Sequence, residues 1–216
     1  MEINNLKLNG AAFLKGSFED EGISLSDLND LMINSKFFDI PVAIKIGGCE
    51  AKTDIKNCVR AGVSSLVAPM VESGFAASKF TAAMSTILPP DSKIQKHINI
   101  ETITACNSVL SILNNCAEDL TGIVVGRSDL SLSLGLTKKD VDCSKVTKKV
   151  RETLEEAKKY NLVTTMGGSV GVKSAPIIYE LNQSGLLDRF ETRAVIFEVA
   201  NSLEEIEAQI RAAISY

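Results

Sequence analysis

Short apolar runs that end in a glycine or a polar residue, each followed by a helix-patterned segment, recur along this chain without a linker between them. Ala11 to Gly16, Pro41 to Gly47, Ser65 to Pro69, Ile94 to Glu101, Ile123 to Val125, Leu162 to Met166 and Arg193 to Val199 have the length and composition of buried parallel strands. Between them lie helical stripes. Ser24 and Asp27 form an N-terminal helix signal ahead of Leu25, Leu28, Leu31 and Met32. Pro89-Pro90-Asp91 stops the third helix, and Ser202 with Glu205 caps a last helix carrying Leu203, Ile206, Ile210 and Ile214. Strict βα alternation requires a parallel sheet, and right-handed crossovers repeated seven times favour closure into a TIM-type (β/α)8 barrel. An eighth strand is not visible; it is missing, irregular or contained in the first ten residues, and an open doubly wound sheet is the alternative. No G-x-G-x-x-G opens the first helix, which weighs against a dinucleotide fold.

A length of 216 residues suits one such barrel, so residues 1–216 are read as a single domain. The net charge of -4 argues against a broad nucleic-acid or anionic-membrane surface. No apolar run has transmembrane length and the N-terminus lacks the pattern of a signal peptide, so the expected location is the cytoplasm. The five cysteines are odd in number and contain no C-x-x-C pair, as expected of reduced thiols.

In a barrel, chemistry sits where the strands end. Thr121 to Gly135 reads TGIVVGRSDLSLSLG, a buried strand delivering Gly126, Arg127, Ser128 and Asp129 to a rim. Strand Ile94 to Glu101 delivers a second acid to the same edge. Glu101 and Asp129 suit a hard divalent cation, which takes oxygen ligands and often only one or two protein carboxylates; two solvated strand-end acids are the plainer reading. Period-two alternation puts His97, Asn99 and Glu101 on the barrel's inner face with Ile98 and Ile100 outside, and likewise turns Ala43 and Lys45 inward. A lysine there needs an anion. It serves a structural salt bridge or a substrate, or less plausibly forms a Schiff base. Glu72 lies at the same rim and is placed to orient Lys45, while Gly167, Gly168 and Ser169 are placed to admit substrate closely. His97 reads as a deep packing residue. Glu191 and Arg193, at the start of the last strand, are assigned to the bottom face.

The segments IKIGGCEAKTDI, GVSSLVAPMVES, INIETITACNSV and VVGRSDLSLSLG, in this order and spacing, resemble the HpcH/HpaI aldolase/citrate lyase beta-subunit family of the phosphoenolpyruvate/pyruvate barrel superfamily, over about residues 11–200. The resemblance implies that Glu101 and Asp129 hold Mg²⁺ or Mn²⁺. It implies a lyase of aldolase type that stabilises the enolate of a small 2-oxo acid, or acts on an acyl-CoA, with backbone amides near Ser128 and Asp129 cradling the substrate carboxylate and Gly126, Arg127 and Gly168 at its binding site. It also implies a homo-oligomer. Two departures stand out. Lys45 occupies the place of the family's strand-two arginine, and Phe18 and Glu19 stand where its aldolases carry a histidine. Glu19, Asp20 and Glu21 are the candidate bases by position. A barrel that binds metal and oxo acid without turnover, or a subunit that needs a second polypeptide, is the rival reading.

Overall fold

The computed structural model describes residues 2–216. Helix α1 (Glu2–Leu8) leads into strand β1 (Ala11–Ser17), and five βα units follow: α2 (Leu25–Phe38) with β2 (Val42–Lys45), α3 (Lys52–Ala61) with β3 (Ser65–Ala68), α4 (Gly74–Ile87) with β4 (Gln95–Ile100), α5 (Ile103–Asn107) and α6 (Val109–Cys116) with β5 (Gly122–Gly126), and α7 (Arg127–Ser133) and α8 (Ser144–Lys158) with β6 (Val163–Gly167). Then come α9 (Ala175–Gln183), β7 (Arg189–Glu191), β8 (Val195–Glu198) and α10 (Leu203–Ile214). The strands close a barrel in the order β1 to β8. The first ten residues supply a helix, not the missing strand; that strand is β7.

Strands β1 to β7 are parallel neighbours, whereas β8 runs antiparallel to both β7 and β1. The reason is the connection. Only Thr192, Arg193 and Ala194 separate β7 from β8, too few for a crossover helix, so the chain must turn back as a hairpin. The last strand read from sequence is therefore present but reversed, and the three-residue β7 before it is too short to show a period. Phe190 and Phe197 face each other across this hairpin with ring centroids 5.3 Å apart and 20° between planes, on the side toward the helices.

Alternation sorts the rest. Leu14, Val42, Ile44, Leu66, Ile98, Ile100, Ile123 and Val125 point outward into one apolar layer under the helices, and Phe13, Ala43 and Ile196 form a small plug inside the barrel. Both capping boxes read from sequence, at Ser24 and at Ser202, close in the structure. The segment between β4 and β5 forms two helices, α5 and α6, because Ser108 leaves the helical region at φ -101° and ψ 3°. On α10 the apolar stripe divides. Ile206 and Ile210 are buried against the barrel while Leu203 and Ile214 are exposed. Among the described residues no helix is long and apolar enough to cross a membrane.

At the bottom of the barrel Asp188 anchors the short β7. Its Oδ2 accepts from the Thr164 amide at 2.8 Å and from Lys158 Nζ at 2.6 Å. Burial pushes the Asp188 carboxyl upward, but the hydrogen bonds from Lys158 and Thr164 outweigh it and hold it below the usual carboxylate range. Such a group stabilises the fold above its unfolded-state pKa, and that contribution is lost as the pH falls through the folded-state value. Asp188→Asn should lower stability at pH 7 by about 1 kcal/mol, a figure discounted for the pair's partial exposure. In urea unfolding the gap to wild type should close below about pH 4; a gap that persists there would contradict the assignment.

Candidate active site

The inner face of the upper barrel is polar. Lys15 on β1, Lys45 on β2, Asn99 on β4, Glu101 just beyond it and Glu191 at the end of β7 converge on a cavity of about 580 Å³, which Gly126, Ser128, Asp129, Gly168 and Ser169 close on the β5 and β6 side. Charges in such a place need partners. Lys15 Nζ meets Glu191 Oε1 at 2.5 Å. Lys45 Nζ pairs with Glu19 Oε2 at 2.7 Å and with Asp20. At the outer lip Arg193 pairs with Glu21 at 3.0 Å. When these pairs are drawn, Glu101 and Asp129 are the two cavity carboxylates that form no salt bridge among the described residues.

Glu101 is 3% exposed. Its Oε1 accepts from the Met70 amide at 2.8 Å, and its Oε2 accepts from Asn99 Nδ2 at 2.8 Å. Met70 adopts φ 52°, an uncommon conformation for a residue with a side chain, in the loop that aims this amide. Burial pushes the Glu101 carboxyl up and the charge of Asp129 pushes it the same way, against the hydrogen bonds from Met70 and Asn99 and the charge of Lys45. Gly126 is the seat of this carboxylate: a Cβ there would lie 2.7 Å from Glu101 Oε2. On the adjoining strand a Cβ at Gly167 would lie 2.7 Å from Glu191 Oε1, so Gly167 seats an acid and does not admit substrate. Gly168, at φ 83°, lets its loop pass against the backbone of Arg127 and Ser128.

Lys45 is 5% exposed. Burial works to lower its pKa, but hydrogen bonds to Asp20 and Glu19 and the charge of Glu101 prevail and hold it above the ordinary lysine value. The ammonium is thus a fixed charge, the opposite of what a Schiff-base lysine needs. Burial opposes ionisation of Asp20, yet the bond from Lys45 keeps its carboxyl below the usual range.

Two expectations are corrected. Glu72 does not orient Lys45: it accepts from Thr102 Oγ1 at 2.6 Å and is not among the residues lining the cavity. The Arg127 side chain is not at the substrate cavity either. Fully buried beneath the rim, its guanidinium donates to Asp142 Oδ1 at 2.5 Å, to the carbonyls of Gly167 and Gly168 and to Ser174 Oγ, clamping the β6 loop to the start of α7. Gly126, Ser128, Gly168 and Asp129 line the cavity as expected, and Ser128 Oγ lies 2.8 Å from Ser169 Oγ. Glu19 stands beside the cavity through its bond to Lys45.

Glu191 and Arg193 were the residues misplaced by sequence reasoning. Glu191 ends β7, which runs parallel to the strands before it, and Arg193 lies in the hairpin turn into the reversed β8, so both line the mouth of the barrel, not its base. His97 is where it was expected, deep inside with Nδ1 3.2 Å from Ser65 Oγ, and burial pushes its pKa down to about 3. All five cysteines are free thiols.

The donor set facing the cavity is all oxygen. Among the described residues no group of three or more His, Cys, Asp or Glu gathers as a metal cage. Two repelling carboxylates, with Asn99 Oδ1 buried beside them and lacking a hydrogen-bond partner, nevertheless fit a hard divalent cation whose other positions go to water and substrate.

Structures of known proteins share this architecture. A HpcH/HpaI aldolase from Desulfitobacterium hafniense DCB-2 superposes with a TM-score of 0.68 at 13% identity, over 89% of this chain and 82% of that one. A HpcH/HpaI aldolase/citrate lyase family protein from Burkholderia cenocepacia J2315 gives 0.71 at 14% identity, over 100% and 90%. The citrate synthase SbnG gives 0.69 at 17% identity, over 100% and 88%. At these identities the likeness is one of fold. No curated protein matches the chain. The family model for HpcH/HpaI aldolase/citrate lyase matches residues 42–169, the stretch from β2 to the loop after β6 that carries Lys45, Glu101 and Asp129. With more than half of its length matched by that model, the chain belongs to the HpcH/HpaI aldolase/citrate lyase family.

Proposed function

We propose that this chain is a divalent-metal-dependent carbon–carbon lyase of the aldolase type, acting on a small 2-oxo acid. The observation that carries the reading is the pair of cavity carboxylates without a cationic partner, Glu101 and Asp129, one of them buried. These two would hold Mg²⁺ or Mn²⁺, which when bound supplies Lewis-acid stabilisation for the oxygen charge that develops as a carbon–carbon bond breaks. Lys45 adds a permanent positive charge at the same wall, available to a substrate carboxylate or keto oxygen and preorganised by Glu19 and Asp20. Ser128 lines the cavity beside Asp129, and its hydroxyl suits a carboxylate. A cavity of about 580 Å³ suits a small acid better than an acyl-CoA, whose bulk would have to lie outside it. The name of one structural neighbour, a citrate synthase, accords with chemistry that makes or breaks a bond beside an enolate. A homo-oligomer in the cytoplasm belongs to the same reading, with Leu203 and Ile214 of α10 as exposed contacts.

A second reading, a barrel that binds metal and oxo acid without turnover or needs another subunit, is favoured by one observation. His97 is locked in the barrel floor, and Glu19, Asp20 and Glu21 are all engaged by cations, so no acid after β1 is free to take a proton.

Oxalate, a mimic of the pyruvate enolate, separates these ideas from a barrel of different chemistry. In calorimetric titration it should bind only when Mg²⁺ or Mn²⁺ is present, and Asp129→Ala should weaken it by at least about 100-fold; metal-independent binding, or full affinity in the variant, would overturn the assignment. Pyruvate release from 4-hydroxy-2-oxo acids should fall about 100- to 1,000-fold in Lys45→Ala. Borohydride with pyruvate should leave the wild type active, and inactivation would instead identify an imine.

A further inference from the structure

Glu191 is a carboxylate with one oxygen held and one oxygen idle. Oε1 receives Lys15 Nζ at 2.5 Å, while Oε2 is buried and has no hydrogen-bond partner. A buried acceptor left unsatisfied is costly, and such atoms in native proteins call for an occupant. Glu191 lines the cavity, so a turn of its carboxylate carries Oε2 from its buried position to a substrate hydroxyl. Its position is also defined relative to the proposed metal ligands. Glu101 stands over Gly126 and Glu191 over Gly167, and these glycines are register partners on β5 and β6, one strand spacing of about 4.8 Å apart. Glu19, Asp20 and Glu21 each pair with a lysine or arginine, as Glu191 does, but of these four only Glu191 has a buried oxygen left without a hydrogen-bond partner, and Glu101 and Asp129 are assigned to the cation.

We infer that Glu191 is the general base of the reaction proposed above, a role that rests on that reading and fills the place left empty by the absent histidine. In the cleavage direction Glu191 Oε2 takes the proton of the substrate's C4 hydroxyl. The O–H electrons form the carbonyl of the leaving aldehyde, the C3–C4 bond breaks, and its electron pair becomes the enolate of the 2-oxo acid. The same proton then passes from Glu191 to C3, giving a methyl group in pyruvate, so that the carboxylate is regenerated and no further acid is required. Lys15 keeps Oε1 engaged throughout and leaves Oε2 the reacting atom. Gly167 is part of the device, because a side chain there would occupy the space of Glu191 Cγ and Oε1.

The test uses the partial reaction, which needs no knowledge of the aldehyde: exchange of the pyruvate methyl protons with deuterium oxide, followed by NMR in the presence of Mg²⁺ or Mn²⁺. Glu191→Gln, which also takes the anionic partner from Lys15, should slow exchange by at least about 100-fold while remaining folded and still binding oxalate in a metal-dependent way. Glu191→Asp, which keeps the charge but withdraws the oxygen by one methylene, is the second variant if the amide impairs folding, and it should lose at least about 10-fold. Exchange at the wild-type rate in the folded Gln or Asp variant overturns the role of Glu191 and leaves the metal site standing. Oxalate binding without any exchange by the wild type also overturns it. Failure of metal-dependent oxalate binding in the wild type is the separate result that removes the underlying reading.

Discussion

Closure of the barrel through a three-residue turn is the constraint on which the rest of the structure depends. A barrel has no free edges, and the last strand must pair with both β7 and β1 to complete it. With only Thr192 to Ala194 between β7 and β8, a parallel partner is out of reach, so β8 reverses and the hairpin turn takes the place of a βα loop at the mouth. The Lys15 amide bonds the Ala194 carbonyl at 2.8 Å, tying that turn to β1. The consequence is chemical as well as architectural. The parallel β7 delivers Glu191 to the rim where the other parallel strands deliver Lys45 and Glu101, and the turn into the reversed β8 keeps Thr192 and Arg193 there.

Within that ring of strand ends the energetics are those of buried charge. Lys15 and Lys45 would each be expensive to bury alone, and each is met by a carboxylate within bonding distance. This pairing does more than lower a cost. It leaves Glu101 and Asp129 as the cavity carboxylates without a cationic partner among the described residues, and it holds Lys45 charged when burial by itself would have pushed it toward neutrality. Arg127 solves a different problem. Its guanidinium satisfies two loop carbonyls that would otherwise be stranded under the rim, and so fixes the glycine loop of β6 against the helix that bears Asp129.

Much of this was legible in the residues. Period-two alternation placed Ile98 and Ile100 outward and Asn99, Glu101 and Lys45 inward, and the structure agrees for each. The glycines at strand ends marked close approaches, although Gly167 turned out to receive a side chain of the chain itself. Where position along a rim had to stand in for direction, the reading erred. Glu72 and Arg127 both lie at the correct height of the barrel, but one leans outward to Thr102 and the other folds beneath the rim to Asp142.

By itself the sequence determined the parallel layers, because apolar and polar residues alternate with the period of a strand or a helix and a buried face admits one register. It also determined the identity of the acids and the lysine at the strand ends and the caps that start the helices, since these depend on neighbours a few residues away. Only the tertiary structure decided which charges pair, which carboxylates are left over, and that Glu191 faces the cavity. Ion pairs such as Lys15 with Glu191 join residues 176 positions apart, and the pairing of β8 with β1 closes a ring, a condition that no local stretch of chain contains.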